Sequence, residues 1–156
     1  MDSIVPQFRS RLISLGISCL VLLACGGAAQ AVVPVVPAKG AAQTVRLSRE
    51  FKLRPGQQVS VKGTKLRITF MNVKEDSRCP KDVTCVWAGN AAVRLWVTSG
   101  KRSETLTLNT NKSPTLSDEV EFKGYKIKLV DLSPYPRSDH KIANSDYTAT
   151  LLVTRN

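Results

Sequence analysis

Two cysteines in a short, turn-rich stretch have the most obvious chemistry in this 156-residue chain. Cys79 and Cys85 lie six positions apart in DSRCPKDVTCVWAG, residues 76–89. A redox-active pair usually has Cys-x-x-Cys spacing at the start of a helix, which lowers the pKa of the first thiol. Because the spacing here is wider and no helical pattern follows, we predict a structural disulfide. Closing a loop of about seven residues stabilises a fold by roughly 2 kcal/mol in the chain-entropy model.

Metal-dependent and hydrolytic chemistry have few candidate residues. The one histidine is His140, beside Asp139. A zinc site usually needs three or four nitrogen or sulfur ligands, and a calcium site needs clustered carboxylates. The Gly-x-Ser-x-Gly turn of α/β-hydrolases does not occur in the sequence. We therefore predict no metal, no cofactor and no enzymatic activity. The alternative is a small secreted enzyme or redox protein that uses His140 or the Cys79/Cys85 pair.

The N-terminal region has the pattern of a bacterial export signal. Arg9 and Arg11 precede an uncharged run from Leu12 to Ala24, and small residues follow this run. The run is shorter than the roughly 20 residues that a membrane-spanning helix needs. Basic residues, a short apolar run and a small-residue cleavage site together define a signal peptide. We predict that it covers residues 1–31.

A lipoprotein signal competes with this cleavage site. Residues 22–25, LLAC, resemble a lipobox, which would end the signal at residue 24 and make Cys25 the lipid-modified first residue. Residues 32–43 are rich in Ala, Val and Pro and suit a tether. We expect an exported protein, in the periplasm or at the outer membrane as a lipoprotein, or secreted. It would meet a membrane only through the N-terminal lipid.

The chain is strongly basic, with a formal net charge of +11 at pH 7. Such a charge attracts anionic partners. However, the basic residues alternate with apolar ones and do not cluster. Aromatic residues do not interleave with them, as the stacking platforms of single-stranded nucleic-acid binding would require. We therefore predict no nucleic-acid binding.

Residues 44–156 show the period-two alternation of β-strands. Leu66, Ile68 and Phe70, for example, alternate with polar residues. Turn residues separate the candidate strands. We predict a single all-β domain of about seven or eight antiparallel strands, as a β-sandwich or a small β-barrel. The candidate strands are residues 65–70, 91–98, 103–109, 119–122, 125–132 and 147–153, with weaker signals at 45–51 and 57–61.

The cross-linked stretch is also the first candidate binding element. A cross-linked loop that holds Arg78 and Lys81 in one conformation resembles the binding loop of a secreted inhibitor in its rigidity. Such preorganisation lowers the entropy cost of ordering the loop on binding. We expect Trp87 in the same stretch to pack against the disulfide or to cap a barrel.

A second candidate binding residue is Trp96. If Val93, Leu95 and Val97 face the core, strict alternation places Trp96 on the opposite face of the strand. There it is either an interface anchor or is covered by the tether or a neighbouring strand.

The cysteine stretch resembles a pattern found in a family of small bacterial exported proteins: DSRCP, four residues, then CVWAG. Residues 76–80 and 85–89 carry this pattern here. The resemblance covers most of the domain and implies an exported or lipid-anchored β domain, with no known activity. It also includes two dipeptides that open predicted strands: Gly124-Tyr125 and Asp146-Tyr147.

These observations predict a non-catalytic envelope domain. Its partner would be an envelope protein, a glycan or an anionic surface component. The candidate binding residues are Arg78, Lys81, Trp87 and Trp96.

Overall fold

A computed structural model describes residues 43–156, which form nine β-strands and no α-helix. A single 3₁₀ turn, Asn144–Asp146, precedes the last strand. The prediction of an all-β domain is therefore confirmed. The strands are β1 (Gln43–Val45), β2 (Glu50–Leu53), β3 (Gln58–Val61), β4 (Leu66–Asp76), β5 (Ala91–Ser99), β6 (Arg102–Asn109), β7 (Glu119–Phe122), β8 (Tyr125–Ser133) and β9 (Thr148–Arg155).

The strands form two sheets that do not close into a barrel. A five-stranded sheet has the order β1-β3-β4-β5-β6, and a four-stranded sheet has the order β2-β9-β8-β7. Apolar side chains of both sheets form one core, in which Phe70 and Leu95 of the first sheet and Ile127 and Leu151 of the second are fully buried. Of the two predicted architectures, the sandwich is therefore the one observed.

Alternation explains which residues enter the core. In β5, Val93, Leu95 and Val97 are fully buried, whereas Trp96 between them is partly exposed. The turn between β7 and β8 follows from its residues as well. Lys123 and Gly124 both have positive φ, as a two-residue turn matched to the twist of a hairpin requires.

The N-terminal strands depart from the prediction. The segment 45–51, expected to be one weak strand, contains the end of β1 and the start of β2, separated by a turn in which Ser48 has a φ of 56°. The chain crosses there from one sheet to the other. As a result β1 pairs with β3 in parallel, whereas every other strand pair in residues 43–156 is antiparallel.

Strand β4 continues to Asp76, beyond the candidate strand 65–70 that the sequence predicted. Two register shifts against β5 lie between Phe70 and Asn72 and between Val73 and Glu75, and such bulges bend and twist a strand. They place Asp76 opposite Ala91, which is fully buried. A carboxylate thus lies at the end of the sandwich where β4 and β5 open into their connecting loop.

Candidate functional site

The candidate site is built on residues 77–90, here called the disulfide loop, which connect β4 to β5. Cys79 and Cys85 form a disulfide with their Cα atoms 5.9 Å apart, as predicted. Backbone hydrogen bonds close the base of the loop, from Ser77 N to Asn90 O (2.7 Å) and from Cys79 N to Ala88 O (3.1 Å). The ends of the loop are therefore held together by the backbone and its middle by the cross-link.

A glycine lets the two sides of the loop approach each other. Gly89 has a φ of +67°, which side-chain-bearing residues rarely adopt. A Cβ atom at this position would overlap the carbonyl oxygen of Ser77. The loop therefore requires glycine here for both its backbone angle and its packing.

Arg78 fixes the loop to the body of the sandwich. Its guanidinium donates two hydrogen bonds to the carboxylate of Asp76, from Nε to Oδ1 (2.9 Å) and from Nη2 to Oδ2 (2.7 Å). It also donates to the carbonyls of Leu132 (2.5 Å) and Pro134 (2.9 Å) and stacks on the ring of Tyr135, 4.9 Å from its centroid. Arg78 thus occupies the edge of β8 beyond the end of its partner strand β7.

The pair of Asp76 and Arg78 is buried, with side chains 9% and 4% exposed. Burial alone would raise the pKa of Asp76, but the hydrogen bonds and charge of Arg78 outweigh it and lower that pKa. Tyr147 donates its hydroxyl proton to the same carboxylate over 3.0 Å. Burial and this hydrogen bond raise the pKa of Tyr147 to about 12. The cluster is therefore a structural anchor with matched charges.

The disulfide loop is also attached to residues 134–147, the loop between β8 and β9. Lys81 N donates to the carbonyl of Pro136 (3.1 Å). The carboxylate of Asp82 accepts from the backbone N–H of Ser138 (2.9 Å) and from its hydroxyl (2.5 Å), and these hydrogen bonds lower the pKa of Asp82. The loop between β8 and β9 therefore supports the disulfide loop.

The tip of the disulfide loop presents apolar side chains to solvent. Val86 is 88% exposed and Trp87 is 83% exposed, and Val83 is 47% exposed. The expectation that Trp87 packs against the disulfide or caps the fold is wrong. Backbone and disulfide constraints hold the loop without help from the indole, which leaves that ring uncovered.

A groove of about 580 Å³ lies beside the loop. Ala88 and Gly89 line one side of it, and Val130 and Tyr135, both more than 40% exposed, line it as well. Side chains of both charge signs contribute to the lining: Glu50, Asp118, Lys128 and Asp131. The groove of mixed charge thus begins at Ala88, the residue that follows Trp87 in the chain.

The structure separates the four predicted binding residues. Arg78 is buried in its ion pair, so its guanidinium lies away from the surface. Lys81 and Trp87 are exposed in the disulfide loop. Trp96 lies on the outer face of the five-stranded sheet, about 20 Å along β5 from the end of the loop at a rise of 3.3–3.4 Å per residue.

The sequence did not predict that Asp76 and Tyr147 take part in the anchor around Arg78. The spacing of Asp76 and Arg78 was a usable signal, because residues two apart around a turn can form an ion pair. No local signal could have identified Tyr147, which is 71 positions from Asp76.

The groups considered for catalysis do not converge. Within residues 43–156, no three His, Cys, Asp or Glu side chains are close enough together to hold a metal ion. His140 is exposed, and Asp139 beside it forms an exposed ion pair with Arg137. Cys79 and Cys85 are used in the disulfide.

The predicted export signal, the lipid-modified Cys25 and the tether up to residue 42 lie outside the described residues. In residues 43–156 there is no helix of the length and hydropathy needed to cross a bilayer. No family model matches the chain, and comparisons with curated proteins and with solved structures returned no match.

Proposed function

We propose that the protein is a non-catalytic, exported binding module that holds a partner protein with the tip of the disulfide loop and the adjacent groove. One observation carries this proposal: Val86 and Trp87 are almost fully exposed on a loop whose backbone is fixed. A soluble domain gains nothing in its own stability from such residues. Tryptophan is enriched among the few residues that contribute most of the binding energy of protein interfaces.

The chemistry of the site favours a protein over a polyanion. The tip carries Val83, Val86 and Trp87, and Lys81 is followed directly by Asp82. The groove likewise combines acidic and basic side chains with apolar ones. Interfaces between proteins enrich aromatic residues at their centre and place polar groups of both signs at the rim.

Preorganisation supports the same conclusion. Ordering one flexible residue costs about 1–2 kcal/mol of backbone entropy. The disulfide, the anchor of Arg78 and the contacts to residues 134–147 order most of the disulfide loop before any partner arrives. The binding energy of Trp87 is therefore not spent on ordering the loop.

The proposed location rests on the sequence and on the disulfide. A disulfide persists in oxidising compartments, which agrees with the signal pattern in residues 1–31 and with the alternative lipid anchor at Cys25. No arrangement within residues 43–156 favours the alternative of an enzyme or redox protein that uses His140 or the cysteines.

Photo-crosslinking in intact cells tests the proposal. A photoreactive residue is placed at Val86 and, as the control, at Lys101, which is exposed at the opposite end of β5. We expect a discrete protein adduct at position 86 only. An excess of purified wild-type protein should abolish the adduct, and an excess of W87A should not. Equal adducts at both positions, or equal competition by W87A, would contradict the proposal.

A further inference from the structure

A second surface, on the outer face of the five-stranded sheet, has a composition that the disulfide loop does not explain. Strand register aligns side chains of this face in rows across the sheet. One row runs Gln58–Thr69–Trp96–Thr105, and the row beside it runs Ser60–Arg67–Thr98–Ser103. Hydroxyl and amide groups therefore surround a single indole, which is 39% exposed.

The charge in the rows around Trp96 is basic. A third row pairs Asn72 with Arg94 and Thr107, so the three rows contain two arginines and no carboxylate. Neither Arg67 nor Arg94 takes part in an ion pair of residues 43–156. The outer face of the four-stranded sheet is different, because there Lys126 pairs with Glu119. The next row of the first face, Glu75–Ala92–Asn109, contains a carboxylate, but Glu75 pairs with Lys74. Arg67 and Arg94 therefore keep their charge without an ion pair in residues 43–156.

A shallow depression adjoins the indole. It has a volume of about 390 Å³ and is lined by Ser60, Thr64, Lys65, Leu66, Arg67, Thr98 and Gly100. Thr98 is two residues from Trp96 on the same face of β5, which separates their Cα atoms by about 7 Å. An aromatic plane, a hydroxyl-lined depression and two cations, Lys65 and Arg67, are therefore neighbours.

We propose that this face, centred on Trp96, binds a strand of an acidic polysaccharide. The apolar face of a sugar ring stacks on the indole, and its hydroxyls exchange hydrogen bonds with the threonine and serine side chains. Arg67 and Arg94 receive the carboxylate or phosphate groups of the polymer, because guanidinium matches both in geometry. A single aromatic excludes the serial base stacking of single-stranded nucleic acid.

Binding of the purified protein to polygalacturonate, measured by isothermal titration calorimetry, tests the proposal. Trp96→Thr keeps a strand-forming residue and should raise Kd about tenfold, as loss of one stacking contact predicts. Arg67→Gln should weaken binding more than Lys52→Gln, which removes an exposed cation from the other sheet. W87A should bind polygalacturonate as the wild type does, because Trp87 belongs to the proposed protein interface and not to this face. The titration therefore tests this face independently of that interface.

Three comparisons separate this proposal from general attraction to a basic protein. Polyglutamate carries carboxylates without sugar rings and should bind without dependence on Trp96, whereas uncharged dextran should bind more weakly than polygalacturonate. In a Trp87→Phe protein, polygalacturonate should shift the fluorescence of Trp96, which is then the only tryptophan. No binding of polygalacturonate, no shift of that fluorescence, or Trp96-dependent binding to phosphatidylglycerol vesicles alone would overturn the proposal.

Discussion

Replacing Arg78 with alanine should destabilise the domain more than any other single change of a charged residue near the loop. The guanidinium makes four hydrogen bonds, two to Asp76 and one each to the carbonyls of Leu132 and Pro134. Without it, a carboxylate that is 9% exposed has no compensating charge. Removal of one partner of a buried ion pair typically costs about 3–5 kcal/mol.

This loss is large against the total stability of a domain, which is about 5–15 kcal/mol. For a domain of this size, 1 kcal/mol corresponds to roughly 4 °C in melting temperature, so the change should lower that temperature by about 12–20 °C. The assay is thermal and urea unfolding followed by circular dichroism. The double variant Asp76→Ala/Arg78→Ala should be less destabilised than the sum of the two single variants, because neither buried charge is then left alone.

The chain offers a matched control for this prediction. Arg137 also forms a two-bond pair with an aspartate two residues away, Asp139, from Nε (3.0 Å) and Nη2 (3.1 Å). That pair is exposed, and exposed pairs contribute little. Arg137→Ala should therefore leave the melting temperature nearly unchanged. Equal effects of Arg78→Ala and Arg137→Ala would refute the assignment of Arg78 as the buried anchor of the loop.

Three further predictions concern the loop and its anchor. Gly89→Ala should lower the urea midpoint of unfolding, because the new Cβ has no space and the positive φ is unfavourable for alanine. Gly100→Ala should lower it less, because a Cβ at Gly100 has nothing within 4 Å and only the positive φ is unfavourable there. Replacing both Cys79 and Cys85 with serine should lower stability by about 2 kcal/mol, seen in the same unfolding curves, and should abolish the adduct formed at position 86. The free energy of unfolding, measured against pH, should fall below about pH 4, because the lowered pKa of Asp76 stabilises the fold only while the carboxylate is ionised. It should fall again between pH 10 and 12, because the unfolded chain releases the phenolic proton of Tyr147 first. Tyr147→Phe should remove the alkaline loss and make the acid loss smaller, because the hydroxyl of Tyr147 also helps to lower the pKa of Asp76.

The fold was largely predictable because its core obeys one local rule. Residues such as Leu95 and Ile127 alternate with polar neighbours, and alternation reports directly which face of a strand is buried. The disulfide was predictable for a similar reason, since short spacing and the absence of a helical pattern are both local. Where local rules failed, the cause was pairing between distant segments, as in the parallel contact of β1 with β3.

The candidate site was predictable only in part. The sequence located the cross-linked loop but gave Arg78 an exposed binding role, because nothing near it in the chain shows that Leu132 and Pro134 accept its hydrogen bonds. The sequence also did not predict that Trp87 is exposed. Its neighbours in the chain do not show whether a distant segment covers the indole, and only the complete set of contacts around the loop shows that no segment of residues 43–156 does so.

The most direct test of the binding function is the solvent access of Trp87 itself. In a Trp96→Phe protein, Trp87 is the only tryptophan, and acrylamide quenching of its fluorescence reports its exposure. We expect strong quenching in the free protein and clear protection once the partner captured at position 86 is added. Quenching that is equally strong in the free protein and in the complex would contradict the account.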